Sequence, residues 1–414
     1  MTAVGVERGA AEELVPLRRN WRFQVLWGGA ASSMLGARIA DTAYPLMLLA
    51  MTGSATVAGA FSTAQLATTV VLGVHGGVVA DRRNRRHILM AADGFRFCVT
   101  LSVVTALALG HLTVWHTLLA GISVGGAIAY GGPVRMIALR SVVPPEQLRL
   151  ALSQDEARSS GAGLLGPPLA GWLLSVGRIT PFVGTALGSL LSFLAACAVR
   201  FDGRPGTATT RERGGALDGF RLIAAAPLLR STLLISMAIN IVAAAVLLPV
   251  IVLMRDGGTS SGGIGLALSG EAVGGILGAF LVTRLHGLMG PGKLLLATSW
   301  VLVPCLLGPL LPGGPVAVFL SLLVSALGIP ALKVMVDVLI FQRVPDEVRG
   351  RVVAATITAF MMGMPAGMMS SGLLLDHLSP SAVLVLYAVL LAGCLVPVTL
   401  SRSLRAARWE GEES

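Results

Sequence analysis

The stretch GGVVADRRNRRHIL (76–89) decides how the rest of the chain is read. Asp81, Arg82, Arg83, Arg85 and Arg86 crowd into one short joint. On either side the chain is almost wholly apolar, over 57–80 and 88–109. A run of about 20 apolar residues is long enough to cross ~30 Å of hydrocarbon as a helix. A basic joint between two such runs is a turn at a membrane surface, and its arginines stay on one face.

The same pattern continues in both directions. Twelve apolar runs of spanning length lie at 23–51, 57–80, 88–109, 112–137, 157–176, 181–199, 231–254, 262–284, 293–311, 315–342, 352–375 and 381–401. Small polar clusters such as Thr52-Gly53-Ser54 and Pro312-Gly313-Gly314 mark their joints. The whole chain of 414 residues is 54% hydrophobic and 13% charged, with a mean hydropathy of +0.80. A soluble chain carries about 25% charged residues, and one soluble core stops growing near about 250–300 residues. The expected fold class is therefore an all-α membrane protein with twelve transmembrane helices in two pseudo-symmetric six-helix bundles.

Charge placement sets the expected orientation. Arg18 and Arg22, the 81–86 joint, Arg140 and Arg149, Arg200 and Arg204, Lys293, and Arg349 and Arg351 fall in alternate joints. The other joints hold little beyond Arg178 and Arg255. Both termini are thus expected on the cytoplasmic side of a cell membrane. The formal charge of +10 comes from these joints and from no basic–aromatic pattern that would stack bases, so no nucleic acid is expected. The first twenty residues have no apolar core and do not read as a cleavable leader.

The chain reads as two related groups of six spans, 1–199 and 231–414, joined by a Gly-, Thr- and Arg-rich linker at 200–230. Leu217, Phe220, Leu222 and Ile223 of that linker suit a short interfacial helix. The halves match at an offset of 201 residues. Gly77 corresponds to Gly278, VPPE at 143–146 to VPDE at 344–347, Gly166 to Gly367, and Gly171 to Gly372. Parallel repeats of this kind place a substrate site between the halves, near the membrane midplane.

The 76–89 stretch resembles the signature loop of the major facilitator superfamily, G-x-x-x-D-R-x-G-R-R. Gly77, Asp81, Arg82, Arg85 and Arg86 match, and Asn84, which tolerates positive φ, stands at a glycine position. Further stretches resemble the drug, macrolide and siderophore exporters of that superfamily: NWRFQVLW (20–27), SMLGARIADTAYPLMLLAMTGSA (33–55), AADGFRF (91–97) and VPDEVRGRV (344–352). GPPLAG (166–171), with Gly166, Pro167 and Gly171, is similar to the antiporter glycine motif, although Ala170 and Ala162 replace two of its glycines. The fourth span lacks the arginine that many drug antiporters carry there. The resemblance implies a secondary transporter that exports small amphiphilic compounds against inward protons. A siderophore or metabolite carrier is the alternative; a non-transporting receptor or a membrane enzyme is the contrasting class. It also implies a cytoplasmic gate at Gly77, Asp81, Arg82, Arg85 and Arg86 with Arg349, Gly350 and Arg351. Asp81 is expected at a helix N-terminus, Gly77 at a close helix approach, and the arginines are expected to pair with carboxylates of the other half or with lipid phosphate.

Charged residues inside the membrane are costly and are candidates for function. Arg38 and Asp41 are one turn apart in the first span and can pair. Asp93 and Arg96 share that spacing in the third, and Lys333 and Asp337 stand at i, i+4 in the tenth. Each pair either neutralises itself and fixes packing or serves transport. Glu271, in the eighth span, has no local partner and is the first proton-carrier candidate, with Asp41 the second. Arg135 reads as an anchor reaching for the interface. The cysteines Cys98, Cys197, Cys305 and Cys394 are far apart, have no metal spacing and read as small buried hydrophobes. GISVG (121–125) and GAGLLG (161–166) match enzyme motifs only by accident, being membrane-helix packing residues. No cofactor and no metal are expected. The expected partners are a small-molecule substrate, protons and membrane lipid, and a monomer is expected.

Overall fold

A computed structural model describes residues 16–201, 221–224, 227–333, 344 and 346–400. Among these residues the chain forms twelve long helices. In order they are α1 (Trp21–Thr52), α2 (Ala55–Arg82), α3 (Arg85–Ala108), α4 (Val114–Ser141), α5 (Leu148–Val176), α6 (Thr180–Ala198), α7 (Pro227–Asp256), α8 (Ser261–Leu288), α9 (Pro291–Leu307), α10 (Pro315–Leu327), α11 (Asp346–Leu375) and α12 (Pro380–Thr399). Helix is what lipid demands, because each backbone N–H and C=O must find its partner within the segment. Ten of the twelve are long and apolar enough to span a membrane. The two exceptions, α1 and α5, carry Arg38 and Asp41, and Asp155, Glu156 and Arg158. Most of the linker lies outside the described residues, Leu217 and Phe220 included. Residues 221–224 are helical, and Ile223 is buried among the apolar core while Leu222 is exposed.

Local signals explain where helices start. Asn20, Ser54, Asn84, Thr113 and Ser260 each cap a helix N-terminus by accepting a backbone N–H, the role these side chains perform best. Gly53 ends α1 with φ of 68°, a conformation that favours glycine. That turn is so short that α1 and α2 lie antiparallel at once.

Six helices pack in each half. In the first, α1 lies against α5 and α6, α2 against α4, and α3 against α4 and α6. In the second, α8 lies against α10, α7 against α11 and α12, and α9 against α12. Because lipid is as apolar as leucine, packing rather than the hydrophobic effect joins the helices, and small residues let backbones touch. Gly125 of α4 abuts the Gln65 carbonyl of α2, and Gly270, Gly274 and Gly278 of α8 abut α10 along successive turns. Aromatic packing adds to this in the first half: Tyr44 sits 4.4 Å from the Phe61 ring and 4.7 Å from the Phe182 ring. Such pairs contribute about 0.5–1.5 kcal/mol beyond their burial.

The halves meet along two seams, α2 with α11 and α5 with α8. Both are tight at the end opposite the arginine-rich joints. A Cβ on Gly59 would lie 2.8 Å from the Met368 carbonyl oxygen, and one on Gly372 would lie 2.8 Å from that of Ala55. A Cβ on Gly171 would overlap the Ser261 carbonyl and come within 3.0 Å of the Gly262 Cα, and Gly265 is pressed against Pro167 in the same way. Further along, contact loosens. Gly163 finds only the Ala272 methyl at 3.7 Å, and Gly161, Gly73 and Gly77 have nothing within 4 Å. Among the described residues, the backbone contacts between the halves that glycine permits are thus concentrated at the end away from the arginine-rich joints.

Two of the three repeat glycine pairs do equivalent work in this arrangement; in the third, Gly278 abuts α10 while a Cβ on Gly77 would meet nothing within 4 Å. Gly166 of α5 lies against Arg38 of α1, and Gly367 of α11 against Ile241 of α7. Gly171 meets the start of α8, and Gly372 the start of α2. Substituting Gly171 by Leu is expected to cost about 1–3 kcal/mol through overpacking, read as a lower melting temperature in detergent. Gly161→Ala, in open space, is expected to hold or raise that temperature, since alanine favours helix by about 1 kcal/mol.

Candidate functional site

Helix α1 carries Arg38 and Asp41 one turn apart, both exposed. Gly166 of α5 leaves no room for a side chain beside Arg38, so α1 and α5 lie nearly backbone to backbone there. The Arg38 Nη1 to Asp41 Oδ2 distance is 3.8 Å, and the two side chains are 47% and 43% exposed. The pair is therefore loose and open to water. Gln65 of α2 approaches the same carboxylate, and the buried Arg96 acts on it from α3. From the other half, α8 presents the exposed Glu271, next to the Ala272 that faces Gly163 of α5. The Arg38 guanidinium acts electrostatically on both Asp41 and Glu271. One arginine thus stands in the field of two carboxylates, one from each half.

The i, i+3 spacing misplaces one pair. Asp93 does not join Arg96. Its Oδ1 accepts from Arg135 Nη2 at 2.5 Å and its Oδ2 from Ser192 Oγ at 2.8 Å, while Arg135 Nη1 donates to Ser192. Arg96 instead donates to the Ser33 hydroxyl at 2.8 Å and the Ser33 carbonyl at 3.0 Å. Arg135 is consequently no interfacial anchor but the cross-helix partner of a buried carboxylate. The reason is geometric: α3, α4 and α6 converge there, and a helix neighbour offers poorer alignment than a fork arriving from another helix. Sequence spacing sees only pairs within one helix. The same interior holds a cavity of about 180 Å³ lined by Asp93, Arg135, Asp155 and Arg158, with Arg158 bonded to Asp155 at 2.6 Å.

The signature loop is built differently from its reading in sequence. Asp81 lies in the last turn of α2 rather than at a helix N-terminus, and faces Arg85 at 3.9 Å. The N-terminus of α3 is capped by Asn84, whose side chain accepts from the Arg86 and His87 N–H groups, and whose φ is −63°. The positive φ of the usual glycine is not used. Arg85 donates to the Ala80 carbonyl at the end of α2, and Arg86 to the Cys197 carbonyl at the end of α6 at 2.7 Å. Cations at helix C-termini complement the dipole. All these contacts stay within the first half. A Cβ on Gly77 would meet nothing within 4 Å, and the close approach of α2 to α4 is made by Gly76, beside Ala129. Arg82 is exposed.

Lys333 is exposed, whereas Asp337 lies outside the described residues, as do the side chains of Arg349 and Arg351; Gly350 falls in the first turns of α11. Pro167 and Pro365 sit inside continuous helices, and their carbonyls face Gly265 and accept from Thr63. The four cysteines are free; Cys98 and Cys394 are exposed rather than buried. Two residues that sequence did not single out, Ser192 and Ser33, complete the buried polar network.

Twelve helices in two related bundles, with charges held between them, define a polytopic membrane transporter. The Transmembrane secretion effector family matches residues 11–413, and the chain belongs to that family of major facilitator superfamily transporters. Macrolide efflux protein A of Streptococcus pyogenes is 25% identical over 403 residues, covering 91% of this chain and 94% of that protein. The multidrug efflux pump Tap of Mycobacterium tuberculosis is 26% identical over 360 residues, covering 82% and 84%. Among solved structures, the nucleoside transporter NupG overlays with a TM-score of 0.72 at 13% identity, covering 92% of this chain and 99% of that one. A bacterial homologue of the iron transporter ferroportin, in its inward-facing state, gives 0.69 at 16% identity over 94% and 100%. These structural likenesses establish the fold.

Removing one partner of the buried ion pair strands the other. Arg135→Ala is expected to lower stability by about 3–5 kcal/mol, measured as thermal unfolding in detergent. The double change of Asp93→Asn with Arg135→Met is expected to recover part of that loss.

Proposed function

We propose that the protein exports small amphiphilic compounds from the cytoplasm, coupled to protons moving inward, by alternating access of its two halves. The arginine-rich joints are cytoplasmic in this reading, following the positive-inside rule, and the protein sits in the cell membrane. The close backbone packing of the halves at the far end fits an inward-facing state. The two efflux relatives favour an exporter over the metabolite-carrier alternative.

The feature that carries the reading is the loose Arg38–Asp41 pair of α1, whose guanidinium also acts electrostatically on Glu271 of α8. With both carboxylates ionised, the guanidinium attracts both halves. A proton on Glu271 cancels one attraction and leaves Arg38 to Asp41. Protonation thus alters how strongly the halves are drawn together, which is what coupling requires: a proton and a substrate must bias the same conformational equilibrium. An amphiphile has an apolar body for apolar helix faces and a polar group for these charges. In the signature loop, Asp81 with Arg85 and Arg86 serves as the part of the cytoplasmic gate that closes when the halves rock the other way.

Everted membrane vesicles with a panel of fluorescent amphiphiles test this. Uptake is expected to be abolished by an uncoupler, and Glu271→Gln is expected to lower pH-driven flux at least about tenfold, equivalent to about 1.4 kcal/mol, with substrate affinity retained. Normal pH-driven flux in that variant removes Glu271 as the carrier. Uncoupler-insensitive transport removes proton coupling. Asp81→Ala, correctly inserted, is expected to slow export while leaving substrate binding intact; unchanged export removes the gate role.

A further inference from the structure

We propose that Asp376 is the gate residue of the outer face: its carboxylate, carried by the second half, caps the N-terminus of α2 in the first half and holds that face shut. This rests on the alternating-access reading and orientation above.

Asp376 directly follows the last residue of α11. Its Oδ2 accepts from the Ser54 hydroxyl at 3.0 Å, and its Oδ1 from the Ala55 N–H at 2.9 Å and the Thr56 N–H at 3.3 Å. The Thr56 hydroxyl donates in return to the Gly372 carbonyl at 3.2 Å. The first turn of a helix leaves its N–H groups without partners. Here Ser54 serves Val57, and Asp376 serves Ala55 and Thr56 from across the seam. The helix dipole favours a carboxylate at that place, and bonds to an ionised acceptor are stronger than neutral ones. Among the described residues, Asp376 is the only carboxylate hydrogen-bonded from one half to the other.

The repeat isolates the feature. At the offset of 201 residues, the position of Asp376 is held in the first half by Ser175, whose hydroxyl donates to the Trp172 carbonyl of its own helix. The α5–α8 seam is therefore closed at its outer end by glycine packing, and among the described residues no carboxylate is hydrogen-bonded across it there. The α2–α11 seam has the same glycine packing and, in addition, bonds to a charged group that must be released. The group is positioned for release, because it is exposed to water at the rim. Slight burial pushes the Asp376 carboxyl up, but hydrogen bonds from the hydroxyls and N–H groups of Thr56, Ser54 and Ala55 outweigh it and hold the group below its ordinary value. It is thus ionised, and able to cap α2, at neutral pH.

The test uses the full chain in intact cells, with Cys98, Cys197, Cys305 and Cys394 replaced by serine and Thr63→Cys as reporter. Thr63 lies deeper along the same seam, bonded to the Pro365 carbonyl. A membrane-impermeant maleimide added outside reaches it only when the outer face opens. Asp376→Ala and Asp376→Asn are each expected to raise labelling about threefold or more, as a shift toward the outward-open population. The two variants guard against a folding defect in either, and membrane levels of each are measured. Gly372→Val supplies a steric wedge that opens the seam without touching the carboxylate. Raised labelling with the wedge but unchanged labelling with both Asp376 variants overturns the gate residue and leaves alternating access standing. No rise with any of the three, the wedge included, overturns outer-face opening itself, and with it the functional reading.

Discussion

The whole arrangement depends on backbones touching backbones where glycine allows it. In lipid no water competes for helix surfaces, so two helices hold together only as well as their atoms fit. Gly59 and Gly372 on one seam, and Gly171 and Gly265 on the other, bring main chains into direct contact at the end away from the arginines. A side chain at any of them would push the halves apart. These contacts gather at one end, and the halves are joined most closely there. Contacts of this kind can form at one end while they break at the other, since packed surfaces switch between discrete arrangements rather than stretch.

Charge is distributed to suit that mechanics. The buried pair of Asp93 and Arg135, closed by Ser192, ties three helices of the first half into one unit. A bundle must be internally stiff to move as a body. The loose pair of Arg38 and Asp41, by contrast, is open to water, and its arginine acts electrostatically on Glu271 of the second half. Tight charges therefore fall within the first half, and adaptable charges fall between the halves. The loop arginines follow the same logic, with Arg85 and Arg86 closing helix ends of their own half.

Much of the architecture was legible in the sequence because its cause is local. The apolar runs, caps and basic joints set helix number and order, and the 201-residue offset exposed the repeat. The twelve runs correspond one for one to the helices, with shifted ends: the fifth run starts at 157 where α5 starts at Leu148, the eleventh at 352 where α11 starts at Asp346, and the tenth runs on to 342 where α10 ends at Leu327. The candidate site was legible in part. Arg38, Asp41 and Glu271 stand out because charge in an apolar run needs a reason. The partners of Asp93 and Arg96 did not, because they come from other helices and are ordinary serines or an arginine near a helix end. The role of Asp376 was hidden too: one acidic residue in a joint looks like any solvated loop residue until α2 is placed beside it. Asp81 was misread because the helix boundary falls two residues later than the loop motif suggests.

The central claim is that the two halves exchange which end is closed. Pulsed electron–electron resonance in lipid nanodiscs measures this directly, with spin labels at Thr52 and Leu378 for the far end and at Arg83 and Gly290 for the arginine-rich end. The account predicts opposed changes: on switching pH or adding substrate, the far-end distance lengthens as the other shortens. Distances that move in the same sense, or a far end that never opens under any condition, would contradict it.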